Sequence, residues 1–316
     1  MKLKKFLSVF LAMVMSFAML HVSVGAESDE NNNHDVENAE VTISDTNTSD
    51  FVIDENGRLT AYNGNGEDIV LPDGITSIGG EVFEFCKTLT SVTIPNGVTE
   101  IGMYAFLGCN NLVSISIPDS VTSIGYKAFA GCTALTNVTL PNGITMIFDD
   151  TFVECTSLTS ITIPDGVTRI CYEAFAYCTN LENVTIPDSV TEIRPHAFFK
   201  CENLGNLYIP DSVTSIDVAV FAGCSNLTIY CYSGSYAETY AIENKIPYEI
   251  ITITPGDASG DGKTNLSDVS LTLQHIAKWD VTLDTSAADV TGDDKVNLSD
   301  VSLLLQYIAK WDVILK

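Results

Sequence analysis

Two stretches near the end of the chain carry oxygen-bearing side chains at spacings that suit metal binding. Residues 257–283 align with residues 289–315, and 20 of the 27 aligned positions are identical. In each copy, side-chain oxygens occupy loop positions 1, 3, 5, 9 and 12, with a backbone carbonyl at position 7, which is the spacing by which a 12-residue loop surrounds calcium. The sequence therefore predicts two calcium ions. The predicted ligands are Asp257, Ser259, Asp261, Lys263, Asn265 and Asp268 in the first loop, and Asp289, Thr291, Asp293, Lys295, Asn297 and Asp300 in the second.

Each loop continues into a predicted helix, which gives two EF-hand-like loop-helix units in a small all-α module. A duplicated unit of this form, with Asn at loop position 9 and Asp at position 12, resembles a type I dockerin, over residues 254–316. The resemblance implies a partner, the cohesin module of a scaffoldin. It also implies the contact positions, which are Leu266, Ser267, Leu273, Gln274 and Lys278 in the first copy, and Leu298, Ser299, Leu305, Gln306 and Lys310 in the second.

Two features leave alternatives open within this module. Leu273 and Leu305 also fit core positions at helical spacing, so their contact role is not the only interpretation. Ser259 and Thr291 stand where the family usually has Asn or Asp, and Asp294 stands where Gly makes the sharp turn. Asp adopts a positive φ at some energetic cost, so we expect the second calcium site to be the weaker one.

A strict period governs the residues that precede this module. Between residues 70 and 232, Pro, Phe, Cys and Leu each recur seven times at intervals of 23 residues, without an insertion. A fixed period of this length is typical of a solenoid, in which neighbouring units bury one another's apolar faces. In the unit from Leu89 to Leu112, Val92 and Ile94 predict a short strand, Pro95 ends it, and the later apolar residues recur at helical spacing.

The repeated pattern L-x-x-I-x-I-P-x-x-V-x-x-I-x-x-x-A-F-x-x-C resembles the BspA-type leucine-rich repeats of bacterial surface and secreted proteins. The resemblance implies an α/β solenoid of seven 23-residue leucine-rich repeats, which with its caps spans residues 51–253. Phe51 to Tyr62 is predicted to form a hairpin cap at one end. Ser235 to Asn244 is predicted to form a short helix at the other end, followed by an apolar strand from Tyr248 to Ile253.

The solenoid carries nine cysteines, seven of which follow the repeat period. Their side chains point into a core beside Phe and Leu, where free cysteine packs as a small hydrophobe. We therefore predict buried thiols. Neighbouring strands lie about 4.8 Å apart, which is within disulfide reach, so a disulfide chain and a zinc site remain alternatives.

The outward strand positions of the repeats carry hydroxyl and amide side chains without charge, and the one aromatic residue among them is Tyr208. Such a face is most often an ordinary solvated sheet, and a sugar-binding platform needs more aromatic rings. Residues vary more on the opposite arc, which includes Tyr172, Tyr177 and His196. The sequence leaves the solenoid's ligand, a protein or a glycan, unknown.

Composition and the start of the chain indicate an extracellular protein. The chain has 41 acidic and 15 basic residues, a formal net charge of −26, which argues against nucleic acid as a partner. Residues 1–26 have a basic start, an apolar run and the small residues Val24-Gly25-Ala26, which together predict a signal peptide; a retained membrane anchor is the alternative. Residues 27–50 are predicted to be an acidic, disordered linker. After cleavage we expect no attachment to a membrane.

We find no catalytic constellation in the sequence and expect no enzymatic activity. Of four histidines, only His196 falls on the solenoid, and neither H-E-x-x-H nor G-x-S-x-G occurs. The favoured function is that of a secreted accessory or binding protein, anchored to a cellulosome-type scaffold that degrades polysaccharide. The alternatives are an inhibitor or regulator of proteases or other enzymes, and an unrecognised glycoside hydrolase.

Overall fold

The computed structural model describes residues 48–251, 255–259, 263–278, 281, 283–309 and 315. The predicted signal peptide, residues 27–47 of the predicted linker, and the site residues Asp261 and Lys310 lie outside the described residues. The predicted domain boundary between residues 253 and 254 does so too. The protein divides into two compact units, one of which ends at Ile251 while the other begins at residue 252.

The first unit is a β-solenoid of about eight turns with a 23-residue spacing, which confirms the predicted fold class. The strands follow two rows along the coil, called ladders below, and breaks in hydrogen bonding divide the first ladder into three sheets and the second into two. The first ladder consists of β3 (Asp68–Val70), β5 (Ser91–Thr93), β7 (Ser114–Ser116), β9 (Asn137–Val138), β11 (Ser160–Thr162), β13 (Asn183–Thr185), β15 (Asn206–Tyr208), β17 (Thr228–Tyr232) and β18 (Tyr248–Ile251). The second consists of β2 (Arg58–Tyr62), β4 (Ser77–Ile78), β6 (Glu100–Ile101), β8 (Ser123–Ile124), β10 (Met146–Ile147), β12 (Arg169–Ile170), β14 (Glu192–Ile193) and β16 (Ser215–Ile216).

Equivalent residues of successive repeats pair in register, so identical side chains stack along the coil. Val92 pairs with Ile115, and Ile115 with Val138, in the first ladder. The seven repeat phenylalanines stack with centroids 4.9–5.6 Å apart and ring planes within 10° of parallel. The 23-residue period is therefore the length of chain that returns each side chain to its equivalent position one strand spacing along the axis.

The arc that closes each coil consists of turns, although the apolar residues there recur at helical spacing. Each arc contains two residues in the left-handed region, such as Lys127 (φ 54°) and Gly131 (φ 68°). Left-handed and right-handed residues alternate in the arc, and this alternation directs backbone N–H groups along the solenoid axis. These N–H groups donate to carbonyls of the next repeat. Phe129, for example, donates to the Thr151 carbonyl at 2.9 Å, and Gly131 donates to the Val153 carbonyl at 2.8 Å. Inter-repeat bonding thus replaces the bonding within a helix.

Both ends of the solenoid are capped as the sequence predicts. At the first end, β1 (Phe51–Ile53) pairs antiparallel with β2, and Phe51 and Tyr62 extend the phenylalanine stack. At the second end, α1 (Tyr236–Asn244) begins after the N-cap Ser235, and β18 follows. The Tyr240 ring lies 6.0 Å from the Phe221 ring and closes the stack. Thr48–Asp50, at the end of the predicted linker, form a short 3-10 helix.

All nine cysteines are free thiols. Five ladder cysteines are fully buried, and each donates its S–H to the carbonyl of the repeat phenylalanine in the preceding repeat, as Cys109 does to Phe83 at 2.9 Å. Cys86 and Cys224, at the ends of the ladder, are partly buried. Burial raises the pKa of Cys109 to about 12, so these thiols are held in the neutral, unreactive form. The structure agrees with the predicted burial for five of the seven ladder cysteines, and the reduced state of the thiols stays a prediction.

The second unit is small and helical. It contains α2 (Leu266–Ile276), the single-turn α3 (Thr285–Ala288) and α4 (Leu298–Ile308). Its core consists of Val269, Val290, Val301 and Leu304, with further aliphatic side chains packed around them. Among the described residues of both units, no helix has the length and apolar character needed to cross a membrane.

Candidate functional site

The first predicted calcium loop is organised around a buried carboxylate at its last position. Asp268 is fully buried, and its two oxygens accept hydrogen bonds from the backbone N–H of Ser259 at 2.9 Å and of Asn265 at 2.8 Å. Asp257, at loop position 1, is 6% exposed, and its Oδ1 accepts from the Ser259 hydroxyl at 3.3 Å. These bonds bring positions 1, 3, 9 and 12 together, while the exposed Lys263 provides position 7.

The second loop repeats this arrangement and shows the carboxylates converging. Oxygens of Asp289, Asp293 and Asp300 lie within 4.8 Å of one another. Asp300 is fully buried and accepts from the Thr291 N–H at 3.1 Å and from the Asn297 N–H at 2.8 Å. The sequence therefore identified the residues that the fold brings together in this loop.

Hydrogen bonds in the second loop favour the ionised form of Asp289. Desolvation raises the pKa of Asp289, but backbone N–H groups of Asp293, Gly292 and Asp294 donate to it and outweigh that effect, so its pKa lies below the usual value. Three carboxylates so close repel one another unless a cation lies between them. An all-oxygen set of carboxylates, hydroxyls, an amide and a carbonyl is what calcium takes in a flexible shell. The described residues fit the predicted ion.

Asp294 is the one loop residue with a strained backbone in the second copy. Its φ is +61°, in the left-handed region that Gly adopts freely. Its N–H donates to Asp289 Oδ2 at 2.7 Å, which fixes this conformation as part of the loop. The departure noted in the sequence therefore falls where the backbone geometry requires a positive φ.

Loop positions 9 and 12 have a second role that the sequence analysis missed. Asn265 is the N-cap of α2 and Asp268 completes a capping box, and Asn297 and Asp300 do the same for α4. The signal is present in the sequence, because an N-cap residue followed three positions later by an acidic residue is typical of this motif. The same side chains thus shape the loop and start the helix, which couples cation binding to helix formation.

The predicted cohesin-contact residues that are described lie at the surface. Leu266 and Leu298 are each 63% exposed, and Leu273 and Leu305 are 41% and 42% exposed. This exposure excludes the alternative that Leu273 and Leu305 are core residues. Ser267, Ser299 and Lys278 are exposed, and the amides of Gln274 and Gln306 donate to the hydroxyls of Ser270 and Ser302 one turn earlier at 3.1 and 3.3 Å.

The exposed leucines form a second apolar face on each helix. The core positions of the two helices are filled by Val269 and Thr272 in α2 and by Val301 and Leu304 in α4, all of which are buried. Each helix therefore has one face against the core and a second apolar face in solvent. Matched apolar faces on a small module are typical of an interaction surface.

Family comparisons agree with both units. Residues 60–178 and 145–256 match the BspA type leucine rich repeat region, in six copies, and together they cover more than half of the chain. The protein belongs to the BspA-type leucine-rich repeat family. Residues 255–309 match the type I dockerin domain. Domains of that type bind calcium and a cohesin, so this leucine-rich repeat protein carries a cohesin-binding module of the cellulosome type.

Solved structures with leucine-rich repeats resemble the solenoid. A leucine-rich repeat protein of T. pallidum is 30% identical, with a TM-score of 0.53, over 62% of this chain and 91% of that one. A leucine-rich repeat protein from Bacteroides ovatus is 27% identical, with a TM-score of 0.36, over 63% and 67%. A leucine rich cell surface protein from Faecalibacterium prausnitzii is 22% identical, with a TM-score of 0.34, over 61% and 95%. None of the curated proteins compared with the chain matches it.

Proposed function

We propose that this protein is a secreted, non-catalytic accessory protein of a polysaccharide-degrading complex. Its dockerin, folded around two calcium ions, anchors it to a cohesin of the scaffoldin, and its solenoid presents a binding surface. The proposal includes the signal peptide of residues 1–26, which directs the chain out of the cell. Leucine-rich repeats and dockerins are module types without catalysis of their own, which supports the non-catalytic assignment.

The matched, exposed leucine pairs carry this proposal. Leu266 and Leu273 on α2, and Leu298 and Leu305 on α4, occupy equivalent positions behind equivalent loops, and all four remain in solvent although the unit has its own core. A cohesin that covers either face removes apolar area from water, at roughly 25 cal/mol per Å². Bound calcium fixes the two loops, and the loops in turn position the helices that carry the leucines.

Calorimetric titration of the full chain with cohesins from the same organism tests the proposal. We expect a complex in calcium and none in excess chelator. Replacing Leu273 and Leu305 together by Ala weakens it, whereas Ser286→Ala, at an exposed position of α3, serves as a matched control with no effect. A chain that is bound by no cohesin in calcium, or that is bound equally well in chelator, refutes the assignment.

A hydrolysis assay tests the non-catalytic part separately. The purified chain is incubated with plant cell-wall polysaccharides, and release of reducing ends is measured. We expect none above a heat-inactivated control. Release that persists after repeated purification contradicts the proposal and favours the glycoside hydrolase alternative.

A further inference from the structure

The outward face of the first strand ladder gains two aromatic rings that the repeat pattern does not reveal. Tyr208 on β15 pairs in register with Tyr230 on β17, and Tyr232 follows two residues later on the same side of the strand. Between them, Ile229 and Cys231 are fully buried on the opposite side. The rings of Tyr208 and Tyr232 lie 6.1 Å apart at 83°. Three tyrosines therefore cluster at the C-terminal end of a flat sheet face.

These rings lie outside the core. Tyr208 is 36% exposed, and Tyr230 and Tyr232 are partly buried. The four preceding repeats have Ser or Thr in the register position of Tyr208, so the coil forms without a ring there. The tyrosines are thus additions to a fold that does not need them.

Carboxylates surround the cluster. The pKa of Tyr208 is raised by burial first, and then by Tyr232, Asp188 and Asp211 nearby. The pKa of Tyr230 is raised by burial and then by Glu249 on the adjacent β18. The strands β15, β17 and β18 carry no Lys or Arg. This charge arrangement repels anionic glycans, nucleic acids and acidic peptides.

We propose that this tyrosine face binds a neutral polysaccharide chain. The apolar C–H faces of pyranose rings pack on tyrosine rings, while sugar hydroxyls donate to Asp188, Asp211 and Glu249 and meet the amide of Asn206 on the same sheet face. A few carboxylates beside apolar rings orient a sugar chain through hydrogen bonds, and the sugar chain itself needs no charge. The inference deepens the proposed function, because it names the class of ligand that the solenoid takes.

Affinity gel electrophoresis of the full chain in calcium tests it. The probes are mixed-linkage β-glucan, xylan and galactomannan as neutral polymers, and polygalacturonate as an anionic one. The test variants are Tyr208→Thr and Tyr230→Thr, which place in this column the residue found at Thr185 and Thr162. Tyr172→Thr, an exposed ring on the turn arc, is the matched control. Thermal unfolding verifies that each variant folds.

We expect at least one neutral polymer to retard the chain and polygalacturonate not to. Each test variant weakens binding about tenfold, as loss of a central aromatic contact does, and Tyr172→Thr leaves it unchanged. The affinity is the same in low and high salt, because the ligand is uncharged. Absence of retardation by every neutral polymer overturns the proposal, as do unchanged binding by both test variants and a strong dependence on salt, which shows that binding depends on charge.

Cohesin binding is measured on the same samples to separate this proposal from the preceding one. Tyr208→Thr is expected to bind cohesin like the parent chain. Glycan binding without cohesin binding refutes the anchoring function and leaves the tyrosine face supported. Cohesin binding without glycan binding does the reverse.

Discussion

The left-handed residues of the turn arcs allow a test in which backbone conformation is the only variable. Gly131 has φ +68°, and a Cβ added there has as its nearest neighbours the Cα and N of Gly108 at 3.6 and 3.8 Å. These are ordinary van der Waals distances, so Gly131→Ala introduces no clash. The left-handed region costs a residue with a Cβ about 1–2 kcal/mol. The smaller entropy of the unfolded Ala chain offsets about 0.5 kcal/mol of this. We expect Gly131→Ala to lower the free energy of unfolding by about 1 kcal/mol.

The reverse substitution has the opposite sign. Ala219 has φ +56° at the other left-handed position of its repeat. Ala219→Gly relieves the same strain, but it also removes a partly buried methyl group. The expected gain is therefore smaller, about 0.5 kcal/mol. Gly108→Ala adds a clash to the strain, because the new Cβ falls 2.4 Å from Cδ1 of Phe85, and it is expected to cost more than Gly131→Ala.

Urea unfolding in calcium measures all three variants. Both tryptophans, Trp279 and Trp311, belong to the second unit, so tryptophan fluorescence follows the dockerin, and the far-UV circular dichroism change outside that transition follows the solenoid. The dockerin signal is expected to be unchanged in every variant. A Gly131→Ala protein as stable as the parent, or an Ala219→Gly protein less stable than the parent, refutes the role given to left-handed backbone in the arcs.

Three further predictions concern the calcium loop, the thiols and the two helix faces. Asp294→Gly should bind calcium about fivefold more tightly than Asp294→Asn in chelator competition, because both lose the charge but only Gly relieves about 1 kcal/mol of strain; equal affinities contradict this. Burial raises the pKa of Cys178 to about 12, so thiol titration at pH 8 should be slow in the native chain and near complete in denaturant without reductant, and little free thiol in denaturant indicates disulfides. Altering Ser267, Gln274 and Lys278 alone should cost about 0.4 kcal/mol of cohesin affinity, the loss of one of two equivalent poses, and altering Ser299, Gln306 and Lys310 alone about the same. Altering both sets should cost several times the sum, whereas one set that alone abolishes binding shows a single orientation.

The repeat signal predicted the solenoid because every 23-residue step repeats the same inward residues. The turn arcs were harder, since Ala105, Phe106 and Cys109 recur at a spacing that suits a helix. The structure places them instead on a backbone that alternates with left-handed residues such as Tyr104 and Gly108. No side chain marks that conformation, because six different residue types occupy the first of these positions in the seven repeats, with Glu at both 81 and 173. Hydrogen bonds between neighbouring repeats determine the left-handed conformation, and a short sequence window does not contain both partners of these bonds.

In the candidate sites too, features set by residues close in sequence were predictable, and features set by the tertiary structure were not. The convergence of Asp289, Asp293 and Asp300 was predictable because their spacing within 12 residues determines it. The exposure of Leu273 was not, since helical spacing suits a core position and a contact position equally. Tyr230 and Tyr232 were missed because they follow the last full repeat, outside the period that assigned outward positions to Tyr208. Only the strand pairing places them on the same face.

The hydrogen bonds between turn arcs run in one direction, which makes the number of repeats adjustable. Each arc from residue 81 to residue 177 donates to the carbonyls of the arc that follows it, and each of these arcs after the first also receives bonds from the arc before it in the same register. An interior repeat therefore presents the same donors and acceptors on its two sides as any other interior repeat. Unequal recombination that adds or removes one whole 23-residue unit leaves both caps with their partners, whereas any other length of insertion leaves an arc without them. The length of the solenoid, and with it the proposed binding surface, can thus change between related genes in whole-repeat steps, while the dockerin stays the same.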